Sequence, residues 1–412
     1  MNRDGRAGGP LRIAYVLSRP PSFSETFIES EIRAVRAAGA SVEAFVARPA
    51  GGRGVEAGRV LRACAAHPAR VAGRLTEFGA SYLPRALLAA ACAVTLSDRM
   101  ARFDPDVIHA HFVNLPTALA VLLGRELGRP VTAMAHAADF LLDADPAALQ
   151  RRLGRLDHLF VISAATARQL ADKGVDMSAV PHGVVRAAFD GEQLERPTGD
   201  AARPGGPTRL VSVARLVEKK GIDVAVDAVA RLVASGHDVR YDVYGDGPLR
   251  HRLEHQAGLK GVRTVVTFHG AVPHTVAMAA LAAADVAVLP CRRGADGDLD
   301  GIPVFLMEAA SRGVPVVTTA VSGIPELLGE DGGWLVPADD AGALAAAIGQ
   351  AGGDPELARR RAGMMRRRIQ DEFTPRLQAS RLLATWHRLA RPAARLAQDP
   401  DGDAGAAAKA SR

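Results

Sequence analysis

The chain has 412 residues, enough for roughly two to three domains with sizeable cores. Its 48% apolar and 23% charged content excludes a disordered chain, and only 4% of it is aromatic, so Ala, Leu and Val must fill the interior. The net charge of +6, carried mostly by Arg, suits phosphorylated ligands or an anionic membrane surface; basic residues are not interleaved with aromatics, which disfavours nucleic acid.

In chain order, residues 1–10 are Gly-rich and charged and read as disordered. "LRIAYVLS" reads as a buried strand. "SETFIESEIRAVRAAG" reads as a helix capped by Ser24 and ended by Gly39, and "ASVEAFVA" as a second strand, which completes a βαβ unit. Residues 51–102 are Ala- and Arg-rich and read as helical. Within them "ALLAAACAVTL" (Ala86–Leu96) is too short to span a bilayer and reads as a buried helix, with a surface-lying helix as the alternative. "DVIHAHF" (Asp106–Phe112), "PVTAMAH" and "HLFVIS" (His158–Ser163) are strands separated by helices. The polar, Pro/Gly-rich stretch 190–208 reads as a linker.

A second alternation follows, with strands at 209–214, 239–245, 264–270, 285–290 and 315–320. "GGWLVP" ends the sheet, and helices fill 339–350, 354–371 and about 375–393. The chain therefore divides into units 11–189 and 209–374, a helix over 375–395 that crosses back to the first unit, and a disordered tail over 396–412. Both units are doubly wound α/β domains, whose ligands bind beyond the carboxyl ends of the strands, so the cleft between them is the expected site. Cys64, Cys92 and Cys291 are too scattered for a zinc motif or a disulfide framework, and the first residues carry no apolar signal segment. We expect a cytoplasmic protein.

Four stretches carry chemistry. In "VARLVEKKG", Arg215 follows a strand and Lys220 precedes Gly221; they clamp a diphosphate or belong to a solvated basic loop, and position alone leaves both readings open. "YGDGPLR" supplies Gly245 and Gly247 without a third glycine, so the dinucleotide fingerprint is missing and a nicotinamide dehydrogenase is disfavoured. Those glycines let a nucleotide approach the backbone, or simply make a tight turn. "HAHF" puts His109 and His111 on one strand face, and His136 follows the next strand. No nearby carboxylate or Cys completes a zinc set in the sequence, so we expect one or two of these histidines to line the cleft and one to pack.

The fourth stretch is "GADGDLDGIPVFLMEAASRGVP". Its aspartates Asp296, Asp298 and Asp300 begin like a calcium loop, but position twelve is Met307, and Glu308 comes one residue late. Pro303 suits a first helical turn, so the free N–H groups of residues 301–305 form an anion site at a helix start. Glu308 then lies on an apolar helix and needs a partner: Arg312 four residues on, or ligand hydroxyls in the cleft.

Together these segments resemble the GT-B retaining glycosyltransferases of family 4. The family motif is an acid, seven residues and a Glu, which Asp300 and Glu308 match within "DGIPVFLMEAASRGVPVV". "ARLVEKKG", "HGAV", "SGIPELL" and "DVIHAHF" also match, and "SETFIESEI" and "DLDGIP" are most like enzymes of colanic-acid and amylovoran-type exopolysaccharide synthesis. The resemblance implies two Rossmann-like domains facing across a cleft, with acceptor on the first and nucleotide sugar on the second. It implies that Glu308 binds the donor ribose, Asp300 the transferred sugar, and Arg215 and Lys220 the diphosphate, helped by the backbone of Gly301, Ile302, Pro303 and Val304. His136 resembles the family's cleft histidine, with Asp139 beside it. His269, Gly245 and Gly247 are candidates for the nucleotide loop. Ser24, Glu25, His111 and Asp139 are candidates for the acceptor side.

Two features depart from the family pattern: Asp300 stands where Glu is usual, and "RPPSFSE" replaces the usual Gly-rich first turn. The implied partners are a nucleotide-diphosphate sugar and a glycan or lipid-linked acceptor, with peripheral contact on the inner membrane face and no nucleic acid. Neither a cofactor nor a metal is expected. A sugar-nucleotide epimerase of the same fold and a non-catalytic nucleotide-sugar-binding subunit are the alternative functions.

Overall fold

The computed structural model describes residues 9–20, 26–47, 65–66, 83–141, 145–189 and 206–390. Ser24, Glu25, Cys64 and most of 190–208 lie outside the described residues, as do 391–412.

Two six-stranded parallel sheets form the frame. The first comprises β1 (Arg12–Leu17), β2 (Ser41–Val46), β3 (Val107–His111), β4 (Val131–Ala135), β5 (His158–Val161) and β6 (His182–Val184), in the order β2-β1-β3-β4-β5-β6. The second comprises β7 (Thr208–Val213), β8 (Val239–Tyr244), β9 (Val266–Gly270), β10 (Val286–Leu289), β11 (Val316–Thr319) and β12 (Trp334–Val336), in the order β12-β11-β10-β7-β8-β9. Strands β3, β4, β10 and β11 are buried along their whole length, which is why they read as apolar runs rather than alternating ones.

Helices cover both faces of each sheet. Helix α1 (Thr26–Ala37) is followed by α2 (Leu83–Phe103) and α3 (Leu115–Leu127), which pack together over one face of the first sheet. The side chains of residues 89–94 are buried there, so the described part of the Ala-rich stretch is core. No helix among the described residues is long and apolar enough to cross a membrane. Short helices α4 (Ala138–Leu141) and α5 (Pro146–Leu153) precede α6 (Ala164–Asp172), whose cap Ser163 accepts from Thr166 N.

The second sheet carries α7 (Ile222–Ala234), α8 (Arg250–Leu259), α9 (His274–Ala283), α10 (Val304–Ser311), α11 (Ile324–Leu328), α12 (Ala341–Gly353) and α13 (Pro355–Glu372). The last described helix, α14 (Pro375–Ala390), packs against α1 on the other face of the first sheet. Trp386 anchors it, fully buried and edge-on to Tyr15, His109 and Phe160.

In each sheet the order reverses beside one strand, at β1/β3 and at β7/β10, and a crevice opens there beyond the carboxyl ends. His111 ends β3, Arg215 follows β7 and Cys291 follows β10, so the topology delivers the chemistry-bearing loops to these crevices.

Candidate active site

On the second sheet, the loop after β7 forms a 3-10 turn at Glu218–Lys220 before α7. The Lys220 ammonium lies 2.7 Å from Asp300 Oδ2, and that of Lys219 lies 3.4 Å from Asp300 Oδ1 and 2.8 Å from Asp298 Oδ2. Burial pulls the Lys220 pKa down, but the Asp300 carboxylate more than reverses this and leaves it above the ordinary lysine value. Burial likewise pushes Asp300 up, while Lys220 and then Lys219 hold it below the usual carboxylate range. Below the pair, Cys291 is fully buried and its thiol points at Asp300 Oδ2, 3.6 Å away. Burial, then the Asp300 charge, raises the thiol pKa strongly, so it is no nucleophile.

The rest of the aspartate loop is also partnered: Asp298 pairs with Lys219, and Asp296 accepts from Asp298 N at 2.9 Å. Arg215 is exposed and forms no ion pair among the described residues, so its guanidinium is available to an anion beside Lys220.

Pro303 is the cap preceding α10 rather than part of its first turn. Glu308 lies on that helix, 8% exposed. Its Oε1 is 2.7 Å from His274 Nε2, at the start of α9, and no protein group among the described residues meets Oε2. Arg312 is buried nearby, yet it makes no ion pair with Glu308 among the described residues. Its Nη1 is buried without a partner. His274 was not legible as a site residue, because only folding brings it beside a helix 34 positions away.

Gly245 and Gly247 sit where the backbone after β8 passes the loop after β7; a Cβ on either would strike the carbonyl of Ala214 or Leu216. Exposed His269 stacks on Tyr244 with centroids 4.3 Å apart and reaches Asp242 Oδ1 at 2.6 Å, so its ring is already partnered at the β8/β9 edge.

On the first sheet, His136 is half-buried just beyond β4. A Cβ added to Gly301 would lie 3.0 Å from the His136 carbonyl oxygen and 2.6 Å from Ile162 Cδ1, so the loop carrying Asp300 runs directly over His136. The two sheets are also bridged by Glu326 on α11, whose carboxylate accepts from Ala164 N at 3.0 Å and Ala165 N at 2.8 Å and pairs with Arg186 at 3.3 Å. A carboxylate at the start of α6 complements the helix dipole.

Two acceptor-side candidates are displaced by burial. His111 is fully buried, with Nδ1 3.1 Å from His136 Nε2, and cannot reach an acceptor. Asp139 is 8% exposed and spends its carboxylate on the N–H groups of Val113 (2.8 Å), Ala137 (2.8 Å) and His136 (3.2 Å). It staples the His136 loop instead of facing a ligand. Burial raises its pKa, with those N–H bonds opposing. The His136 imidazole pKa is held well below the ordinary value by burial, then by His111, and that of His109 by burial, then by His111.

The structure also supplies the carboxylate absent from the local sequence: Glu31 on α1 lies 2.9 Å from His111 Nε2 and 3.8 Å from His109 Nε2. Phe112 adopts a left-handed backbone (φ 73°), uncommon for an aromatic, and packs its ring 4.7 Å from that of His136.

Two doubly wound domains facing each other across these loops make the frame of a GT-B glycosyltransferase. Residues 198–367 match the family described as glycosyl transferases group 1 and residues 24–187 that described as glycosyltransferase family 4; the chain belongs to this glycosyltransferase family. Among its relatives, the colanic acid biosynthesis glycosyltransferase WcaL of Salmonella typhimurium is 44% identical over 179 residues, covering 43% of this chain and 40% of WcaL. The amylovoran biosynthesis glycosyltransferase AmsK of Erwinia amylovora is 33% identical over 302 residues, 70% of this chain and 71% of AmsK. The chain thus spans about two fifths of that WcaL and about seven tenths of AmsK in these matches. Among solved structures, Anabaena Alr3699/HepE in complex with UDP and glucose superposes with a TM-score of 0.65 at 16% identity, covering 92% of this chain and 100% of HepE.

Proposed function

We propose that this protein transfers a hexosyl group, with retention of anomeric configuration, from a nucleotide-diphosphate sugar to a glycan or lipid-linked acceptor in exopolysaccharide or other cell-surface polysaccharide synthesis. The observation that carries it is Glu308: a buried carboxylate with one imidazole partner and one oxygen that no described protein group meets. That second oxygen opens to solvent, and a vicinal ribose diol would take the place of water there. The names of WcaL and AmsK, and the UDP and glucose of HepE, support the substrate class.

In this mechanism Glu308 accepts from the donor ribose hydroxyls. Arg215 and Lys220 neutralise the diphosphate as it leaves, which is electrostatic stabilisation of the transition state. Asp300, next to the loop crossing His136, takes hydroxyls of the transferred sugar, and Lys219 shares its charge when Lys220 turns to phosphate. The backbone N–H groups of Gly301, Ile302 and Val304 add donors near the start of α10, Pro303 having none. In this reading the acceptor hydroxyl attacks on the face the diphosphate leaves and passes its proton to the departing phosphate, and the sealed Cys291 takes no part.

A labelled-donor assay tests the proposal. Wild type is expected to move label from one of UDP-, GDP- or ADP-hexose to a lipid-linked acceptor with the anomeric configuration kept. Conversion of the donor without any acceptor would indicate an epimerase, nucleotide-sugar binding without turnover a non-catalytic subunit, and an inverted product or a trapped sugar–protein adduct would overturn the mechanism. A lipid-linked acceptor also predicts that the Arg-rich first half meets anionic membrane. Salt-sensitive co-sedimentation with anionic vesicles is the expected result, and indifference to lipid charge would contradict it.

A further inference from the structure

Behind His136 lies a chain of buried polar groups that the proposed mechanism does not use. Glu31 is fully buried on α1. Its Oε1 accepts from the Tyr15 hydroxyl at 2.8 Å and from His111 Nε2 at 2.9 Å, and its Oε2 accepts from Gln378 Nε2 on α14 at 2.7 Å. His111 Nδ1 in turn lies 3.1 Å from His136 Nε2. This assembly draws on β1, α1, β3, the loop after β4, and α14.

We propose that Glu31 is a positioning residue for sugar transfer: through His111 it fixes the proton of His136 on Nε2 and leaves His136 Nδ1 as a bare hydrogen-bond acceptor toward the cleft. The proposal rests on the proposed transfer reaction, with His136, which resembles the family's cleft histidine, taken as the group of the first sheet that faces the transferred sugar.

Each contact along this chain needs one donor and one acceptor. A carboxylate only accepts, so Tyr15 and His111 must both donate to Oε1. Tyr15 remains a phenol, since burial, then the Glu31 charge, raises its pKa well above the ordinary value. With the His111 proton on Nε2, its Nδ1 offers a lone pair, and only His136 can fill the 3.1 Å contact. A neutral His136 carries one proton, which this pairing places on Nε2. Nδ1 meets no protein partner among the described residues. The charged and titratable groups around the His136 ring are His111, His109 and Glu31, and Asp139 binds only its backbone N–H.

His109 does not divert the network. Its Nδ1 is held 2.9 Å from the Thr132 hydroxyl, which takes the Trp386 indole N–H at 3.0 Å. Its Nε2 is buried without a hydrogen bond, 3.8 Å from Glu31 Oε1. Glu31, His109 and His111 also have the spacing of a metal triad. However, the two histidines and the carboxylate are fully buried, and Tyr15, His111 and Gln378 already supply donors to Glu31, which favours the hydrogen-bonded form.

The test reads the proton directly. In 15N-histidine-labelled wild type at neutral pH, two-bond 15N–1H spectra should show His136 protonated on Nε2, with its resonance assigned by loss in His136→Ala. His136 protonated on Nδ1, or stoichiometric metal in the purified protein by elemental analysis, would overturn the proposal. In Glu31→Gln, whose amide both donates and accepts, the His136 tautomer should become mixed. kcat should fall roughly tenfold to a hundredfold, as for loss of a partner that orients a functional imidazole, with nucleoside-diphosphate affinity unchanged. If His136→Ala abolishes transfer but Glu31→Gln changes neither tautomer nor kcat, the positioning role fails and the functional reading stands. If His136→Ala transfers normally, the functional reading of His136 itself fails.

Discussion

The crevice of the first sheet and that of the second solve opposite problems. On the second, Arg215, Lys219, Lys220, Asp298 and Asp300 are partly solvated loop charges whose partners can be exchanged when an anion arrives. On the first, Glu31, His111 and Tyr15 are sealed, and each proton is committed to a buried partner. The second is built to bind and release charge, and the first to hold one geometry. Low dielectric strengthens the hydrogen bonds that are made there and makes each missing partner, as at His109 Nε2 and Gln378 Oε1, expensive.

The sharpest way to break this contrast is Trp386→Ala. It empties a fully buried indole site between α14 and the first sheet and removes the N–H bonded to Thr132. A loss of about 3–5 kcal/mol in urea unfolding is expected, with UDP, GDP or ADP affinity retained at temperatures where the protein stays folded. An equal loss of nucleotide binding would mean the two crevices are not separable.

Arg215→Ala should do the reverse. The exposed guanidinium contributes little to stability, so the melting temperature should hold, while kcat falls about a hundredfold to a thousandfold through the leaving group. A variant whose sole defect is a raised acceptor KM would contradict the assignment.

A smaller effect comes from acid. Burial, then His111, holds His109 well below its ordinary pKa of 6.5, so the unfolded chain binds a proton that the folded chain refuses. Its contribution to stability is complete above pH 6.5 and falls as pH drops below it, by about 1.4 kcal/mol per pH unit until the depressed folded value is reached. His136, lowered likewise, acts in the same sense; Asp139, raised above 3.8, acts in the opposite sense at the acid end. Urea midpoints at pH 7.5 and 5.5 should separate more for wild type than for His109→Asn.

The smallest effect is expected from EDTA, which should leave transfer unchanged, because Lys219 and Lys220 already supply the positive charge beside Asp298 and Asp300. Loss of activity restored by Mg2+ or Mn2+ would show that a cation shares the diphosphate.

The same contrast explains what could be read from the sequence. The parallel sheets were legible because strands buried on both faces leave apolar runs such as "VAVL" and "VVTT". The second crevice was partly legible because Asp300 and Glu308 belong to one loop and the helix it starts, where spacing is geometry. Its ion pairs were not: Lys219 reaches Asp298 across about eighty positions, and loop closure alone joins them. The first crevice was hardly legible. Glu31 reads as one more acid on an amphipathic helix, and its partner Gln378 is 347 positions away. His109 and His111 were visible as a pair, but their depth and their carboxylate depend on how α1 and α14 pack. Asp139 misled because a carboxylate beside a cleft histidine looks exposed until the backbone N–H groups it serves are counted.

The most direct measurement is calorimetric titration of UDP, GDP and ADP into wild type and Glu308→Ala in EDTA. One nucleotide should bind wild type, and its affinity should drop about tenfold to a hundredfold in the variant, as expected for losing hydrogen bonds to a charged acceptor. Equal affinity in the two proteins would contradict the account.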